Sequence, residues 1–120
     1  MGRTMPLDEQ VRANLAKVDA TPQFTGNRMW LTFYLCGRPE NLRPVSQALA
    51  ERGWLNTEGW EGAFLYPKWE VDRTATAILA VAETMRGLCD AHGIEILNID
   101  ADTSPDVQNS NCVTLYRSPS

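Results

Sequence analysis

The stretch Trp30-Leu31-Thr32-Phe33-Tyr34-Leu35, followed by an amphipathic segment that ends at Gly53, decides the fold of this chain. The arrangement returns later, where the apolar run 63–66 is followed by a second long amphipathic segment that ends at Gly93. Apolar residues at helical spacing predict a helix in each case, and the terminal glycine supplies a left-handed C-cap. Strand-like runs at 54–58 and 94–100 follow the two glycines, so the order reads βαββαβ.

A chain with this order folds most simply into a four-stranded antiparallel sheet with both helices on one face, because right-handed crossovers place them there. We therefore predict an α+β, ferredoxin-like sandwich over residues 28–104. Residues 1–27 hold a short helix (7–18) and a linker, and residues 105–120 form a C-terminal extension with a short extra strand. The N-terminal helix either packs on the core or reaches out to a partner, and its apolar stripe favours packing.

Local signals refine these elements. Asn41 is the predicted N-cap of the first long helix, and Thr74 or Asp72 caps the second. Pro67 interrupts the third strand, where proline is not expected in a central position. We therefore place Pro67 at a bulge or at the end of the strand, and we interpret residues 68–72 partly as a connector.

Composition limits the function classes. With 120 residues, 43% of them apolar, the chain is one globular domain, and a net charge of −4 argues against binding a phosphate backbone. No apolar run approaches the ~20 residues of a membrane span. The N-terminus has no apolar signal core, and three cysteines without a Cys-x-x-Cys pair suit a reducing compartment. We expect a cytoplasmic protein.

No motif for catalysis or metal binding is complete. The run Asp100 to Asp106 resembles a calcium loop, but Pro105 stands where the loop needs glycine and Asn111 where it needs a bidentate glutamate. We interpret this run as a solvated acidic turn. Cys89 and His92 lack a third orienting group, and His92 suits a helix C-terminus better than a catalytic pair. We expect no enzyme activity, no cofactor and no bound metal.

Trp60 is the most unusual surface candidate, because it lies in the polar turn Gly59-Trp60-Glu61-Gly62. It either folds back as a lid or anchors a contact with a partner, as exposed aromatic residues often do. The predicted partner-binding residues are Trp60, Glu61, Asp100, Asp102 and Asp106. Direct RNA binding is not expected, because Trp60, Gly62 and Pro67 replace the basic and aromatic residues that the third strand of an RNA-recognition domain needs.

The segment 31–99 resembles the regulator of ribonuclease E activity B family. The matching features are the apolar strand that ends in Tyr34, the run Ala50-Glu51-Arg52-Gly53-Trp54, and a long second helix that reaches Leu88-Cys89-Asp90-Ala91-His92-Gly93. This resemblance implies a ferredoxin-like core and a non-catalytic protein that binds an RNA-degrading enzyme and restrains it.

A weaker resemblance is to ACT domains, which are ligand-binding modules with the same βαββαβ order. Pro39, Leu42, Val45 and Leu49 match the spacing of the ACT signature, and Glu40 replaces its glycine. This alternative implies a homodimeric amino-acid-binding module with a site at Arg38, Pro39, Glu40 and Asn41. A third interpretation is a dimerising domain that pairs two copies through an uncovered sheet face.

Overall fold

The sheet is built around one long strand at its centre. The computed structural model describes residues 5–55, 62–106, 108 and 110–119. The helices are α1 (Leu7–Asp19), α2 (Pro39–Glu51) and α3 (Ala75–Ala91); the strands are β1 (Arg28–Cys36), β2 (Phe64–Leu65), β3 (Lys68–Asp72), β4 (Glu95–Asp102) and β5 (Cys112–Arg117). β1 pairs with β2 and β3 on one side and with β4 on the other, and β5 pairs with β4. All of these pairings are antiparallel, so the predicted α+β class and antiparallel sheet are confirmed.

Alternate residues of β1 divide the sheet into two faces. Met29, Leu31, Phe33 and Leu35 are buried, and we call their side of the sheet the helical face. The buried residues of α1, α2 and α3 join them in one apolar core cluster. The even-numbered residues of β1 point to the opposite side, which we call the open face, because successive strand residues alternate between faces. The two faces therefore come from one continuous strand.

The ends of the helices follow local chemistry. α2 begins at Pro39 with Arg38 at the N-cap, so the prediction that Asn41 caps this helix is wrong. Proline takes the first helical position because its fixed φ suits the helix and its missing N–H is not needed there. Thr74 caps α3 as predicted, its hydroxyl accepting from the backbone N–H of Ala77. Gly53 and Gly93 end α2 and α3 at φ values of 88° and 66°, as the C-cap prediction requires.

Pro67 divides the strand that pairs with β1 into β2 and β3. The predicted interruption is confirmed, but the interpretation of residues 68–72 as partly a connector is wrong, because they form β3. The carbonyl of Pro67 accepts a hydrogen bond from the N–H of Phe33 at 2.9 Å. Proline lacks only the donor, so the ladder loses one bond and continues beyond it.

The predicted second strand, 54–58, is reduced to one bridge among the described residues. Leu55 pairs with Lys68 in antiparallel orientation, outside the named strands. Residues 56–61, including the candidates Trp60 and Glu61, lie outside the described residues. The sheet also gains β5, at the predicted position of the extra strand, so a layout of four strands does not describe it.

α1 packs against the core and covers the outer edge of β5. Val11 and Val18 are fully buried, as the packing interpretation predicted. The Gln10 amide donates to the carbonyl of Arg117 and accepts from its N–H, while the Asn14 amide donates to the carbonyl of Leu115. These side chains take the place of a further strand and satisfy backbone groups that an edge leaves unpaired. No helix of the described chain is long and apolar enough to cross a membrane.

Candidate functional site

Four polar side chains lie side by side at the centre of the open face. Thr32 of β1 pairs with Lys68 of β3 on one side and with Asp100 of β4 on the other, and Asp102 lies one row along β4, opposite Trp30. Thr32, Lys68, Asp100 and Asp102 are only 2%, 8%, 5% and 9% exposed. We call these four residues the open-face cluster. Buried charges are costly unless they are paired and hydrogen-bonded, so their partners decide what the cluster can do.

Thr32 connects the buried lysine to the buried Asp102. Its hydroxyl accepts a hydrogen bond from Lys68 Nζ at 3.0 Å and donates to Asp102 Oδ2 at 2.6 Å. The second oxygen of Asp102 accepts from the hydroxyl of Ser110, in the segment between β4 and β5, at 3.1 Å. One chain of hydrogen bonds therefore joins β1, β3, β4 and the segment before β5.

Asp100 is bonded to neutral donors. Its Oδ1 accepts from the Asn98 amide at 2.5 Å, and its Oδ2 accepts from the Cys112 thiol at 3.6 Å. The phenol of Tyr34 also lies close enough to this carboxylate for Asp100 to raise the pKa of Tyr34. Charged groups in protein interiors are usually satisfied by several such donors. The cluster therefore fastens β1 to β4 and β4 to β5.

The protonation of the site disfavours nucleophilic chemistry. Burial raises the pKa of Tyr34 well above its ordinary value, and the hydrogen bond to Asp100 raises it further. Partial desolvation and the neighbouring carboxylates raise the pKa of the Cys112 thiol to about 11. Burial also raises the pKa of Asp102, although Thr32, Ser110 and the charge of Lys68 act in the opposite direction. A reactive cysteine needs a lowered pKa, so this thiol is a neutral hydrogen-bond donor near pH 7.

Aromatic rings border the open-face cluster. Trp30 lies opposite Glu70 on one side and Asp102 on the other. Further along the face, the rings of Tyr34 and Tyr66 meet edge to face with centroids 5.3 Å apart, and Phe64 stacks against Tyr66 at 6.4 Å. These rings are partly exposed. The open face therefore has partly exposed aromatic rings around a polar centre that is itself buried.

The interpretation of 100–106 as a solvated acidic turn is wrong for its first two carboxylates. Asp100 and Asp102 lie in β4 and are buried, which leaves them little surface for direct contact with a partner. Asp106 is exposed, and its carboxylate accepts from the backbone N–H of Gln108 at 3.1 Å. The missed signal is the polar–apolar alternation Asn98-Ile99-Asp100-Ala101-Asp102, which continues the strand past the predicted end.

A second apolar surface lies on the helical side of the sheet, at its β3 edge. Trp54 and Trp69 stack with centroids 5.1 Å apart, and Trp54 also meets Phe33 edge to face. The two tryptophans line a cavity of about 400 Å³ together with Arg52, Ala80, Val81 and Thr84. Leu55 beside them is 49% exposed.

The residues predicted for amino-acid binding gather at the start of α2. Arg38, Pro39 and Glu40 are exposed, and Asn41 is half-buried inside the helix. Of these, Pro39 lines a small cavity of about 80 Å³, together with Leu42, Gly62 and Phe64. Typical small-molecule pockets measure ~300–1,000 Å³, so this cavity is small for an amino acid.

Metal binding and similarity to known proteins add no identification. Among the described residues, no group of three or more histidine, cysteine, aspartate or glutamate side chains is arranged to hold a metal ion. No protein-family model, curated protein sequence or solved structure matches this chain. Function must therefore be argued from the chain's own residues.

Proposed function

We propose that this chain is a non-catalytic regulator that acts by binding another protein through the open face of its sheet. The observation that carries the proposal is the open-face cluster, whose ionisable groups are each held by hydrogen bonds to neutral side chains. The raised pKa values of Tyr34 and Cys112 oppose their use as nucleophiles. The partly exposed rings around the cluster suit contacts with a protein, since aromatic residues bury much area at low entropic cost.

We also propose that the architecture is a variant of the ferredoxin-like sandwich. Leu55 bridges Lys68 beyond β3, at the edge where the second strand of a βαββαβ sheet would run. β5 then extends the opposite edge beyond β4. A sandwich of this kind leaves one sheet face without helices, which agrees with a binding role for the open face.

The class of partner that we propose is an RNA-degrading enzyme, on the basis of the resemblance between residues 31–99 and the regulator of ribonuclease E activity B family. The net charge of −4 suits a protein that binds the enzyme instead of its RNA. Trp60 and Glu61 remain candidate contacts of this proposal.

The proposal is tested by titrating the purified chain into a purified endonuclease of the ribonuclease E type that cleaves a fluorogenic RNA. We expect a saturable fall in the initial cleavage rate, with a complex of the two proteins detected by calorimetry under the same conditions. Trp30→Ala with Tyr66→Ala should weaken both effects, while Glu83→Gln, on the exposed side of α3, should change neither. A chain that binds the RNA and leaves the enzyme untouched would refute the proposal.

Amino-acid binding at the start of α2 is separated from this proposal by a thermal-shift experiment. Ligand that binds only the folded chain raises the melting temperature by mass action. We expect no shift with the twenty amino acids at millimolar concentration, because the cavity beside Pro39 is small. A shift that Pro39→Ala reduces would favour the ligand-binding module.

A further inference from the structure

The open face is acidic where β1 begins and β4 ends. Arg28, Trp30 and Thr32 of β1 and the residues that pair with them on β3 and β4 include four carboxylates and two cations. The carboxylates belong to Glu70, Asp72, Asp100 and Asp102, and the cations belong to Arg28 and Lys68. Glu70 and Asp72 are exposed while Asp100 and Asp102 are buried, so carboxylates outnumber cations in this part of the sheet.

Both cations already interact with other side chains of the sheet. Arg28 pairs with Asp72 at 2.7 Å and with Glu70 at 3.4 Å, at positions about half exposed to solvent. Lys68 donates to Thr32, whose hydroxyl in turn donates to Asp102. The charge of Asp100 faces the neutral donors of Asn98 and Cys112. Because charges inside a protein are screened less than exposed ones, the negative potential extends to the surface of the face.

Aromatic rings lie beside these charges. Trp30 is positioned between Glu70 and the buried Asp102, and Tyr34 contacts Tyr66 in the direction of β2. A guanidinium group stacks on aromatic rings and donates to carboxylates at the same time, with less desolvation cost than an ammonium. Arginine is therefore the side chain that this combination of groups recognises best.

We infer that the open face docks an extended, arginine-bearing segment of the partner protein, with a guanidinium on Trp30 and within reach of Glu70. The inference rests on the proposed function, because it describes the partner of the same face. It does not depend on the partner's being a nuclease.

The probes are three synthetic peptides of about 12 residues, in which glycine alternates with arginine, lysine or glutamate. Binding to the full chain is followed by fluorescence anisotropy at about 50 mM and about 300 mM salt, since screening separates charge from stacking contributions. We expect the arginine peptide to bind about fivefold more tightly than the lysine peptide, as cation–π stacking predicts. The glutamate peptide should not bind.

Three variants test whether the peptide binds at the open face. Trp30→Ala should weaken binding of the arginine peptide about fivefold and remove its advantage in affinity over the lysine peptide. Glu70→Gln should weaken binding of the arginine peptide about threefold, which is the typical contribution of an exposed ion pair. Glu83→Gln removes one carboxylate from the exposed side of α3 and should have no effect. Because Trp30→Ala could perturb the sheet, its circular dichroism and melting curve are compared with those of Glu70→Gln.

The outcomes separate the two proposals. Equal loss from Glu70→Gln and Glu83→Gln, or equal affinity for the arginine and lysine peptides, would show attraction to overall charge only and overturn the inference. If the nuclease is still inhibited in that case, the regulator proposal stands alone. If the peptide binds as expected and the nuclease is unaffected, the docking surface stands and the proposed enzyme partner fails.

Discussion

The two faces of the sheet show how one strand can serve two purposes. On the helical face, Leu31 and Phe33 are fully buried among helix side chains and have no polar atom to satisfy. On the open face, Thr32 between them is equally inaccessible, but it is held by hydrogen bonds to Lys68 and Asp102. Burial on the first face depends on shape and on the second on hydrogen-bond partners. The difference predicts how each face responds to substitution.

The largest effect should come from the helical face. Phe33→Ala removes a fully buried ring that also contacts Trp54, and it should lower the free energy of unfolding by ~3–5 kcal/mol. Phe33→Leu, which keeps most of the volume, should cost less than ~1.5 kcal/mol. Urea titration followed by circular dichroism measures both. Equal losses from the two variants would mean that this face is not tightly packed.

The next effect tests the open-face cluster. Thr32→Val preserves shape but leaves Lys68 and Asp102 each without one partner, and it should cost about 2 kcal/mol of unfolding free energy. Adding Lys68→Met to Thr32→Val should cost less than the sum of the two single changes, because one unsatisfied donor has been removed. Thr84→Val on α3 is the control. Strict additivity would contradict the hydrogen-bond chain.

The pH dependence of stability distinguishes the faces further. Burial raises the pKa of Asp102 above its ordinary value of 3.8. The folded chain then binds this proton more tightly than the unfolded chain, so the contribution of Asp102 to stability falls as pH rises from about 3.8 through the raised pKa.

The wild-type chain should therefore gain stability relative to Asp102→Asn when the solution is acidified through that interval. Unfolding free energies of the two chains, measured by urea titration at several pH values, give the difference. Asp8→Asn, on the exposed side of α1, corrects for the general effect of losing one carboxylate. A difference that shrinks on acidification would mean that the hydrogen bonds of Asp102 outweigh its burial.

The smallest effect should come from the border of the open face. Glu70→Gln breaks an ion pair with Arg28 whose side chains are about half exposed, and it should change the unfolding free energy by less than ~0.5 kcal/mol. The same urea titration measures this change. A loss above ~1 kcal/mol would place Glu70 in the structural network and disqualify it as a probe of binding.

The predictions made from sequence succeeded where the signal was local. The periodic apolar residues, Thr74 before α3, and Gly53 and Gly93 after their helices all act over a few residues, and the structure has them as predicted. The prediction that Asn41 caps α2 was wrong because Pro39, two residues earlier, already suits the first position of the helix. The interpretation of residues 68–72 as a connector was wrong because Pro67 lacks only a backbone N–H donor. Its carbonyl still accepts a ladder hydrogen bond, so the strand continues.

The candidate site was harder to predict because its parts are distant in the chain. The alternation from Asn98 to Asp102 could have extended β4 and placed two carboxylates on one face. No local pattern reveals that Lys68 and Thr32 lie beside them. Their hydrogen bonds join residues 36 and 70 positions apart.

The α+β class, the three helices, the central apolar strand and the extra C-terminal strand follow from local sequence patterns, because periodicity, caps and turn residues act between near neighbours. The burial of Asp100 and Asp102 and the contact between Lys68 and Thr32 arise from long-range strand pairing in the folded chain. Strand register sets which side chains become neighbours, and register depends on the pairing of whole strands. The acidic, aromatic-bordered character of the open face is a consequence of that pairing.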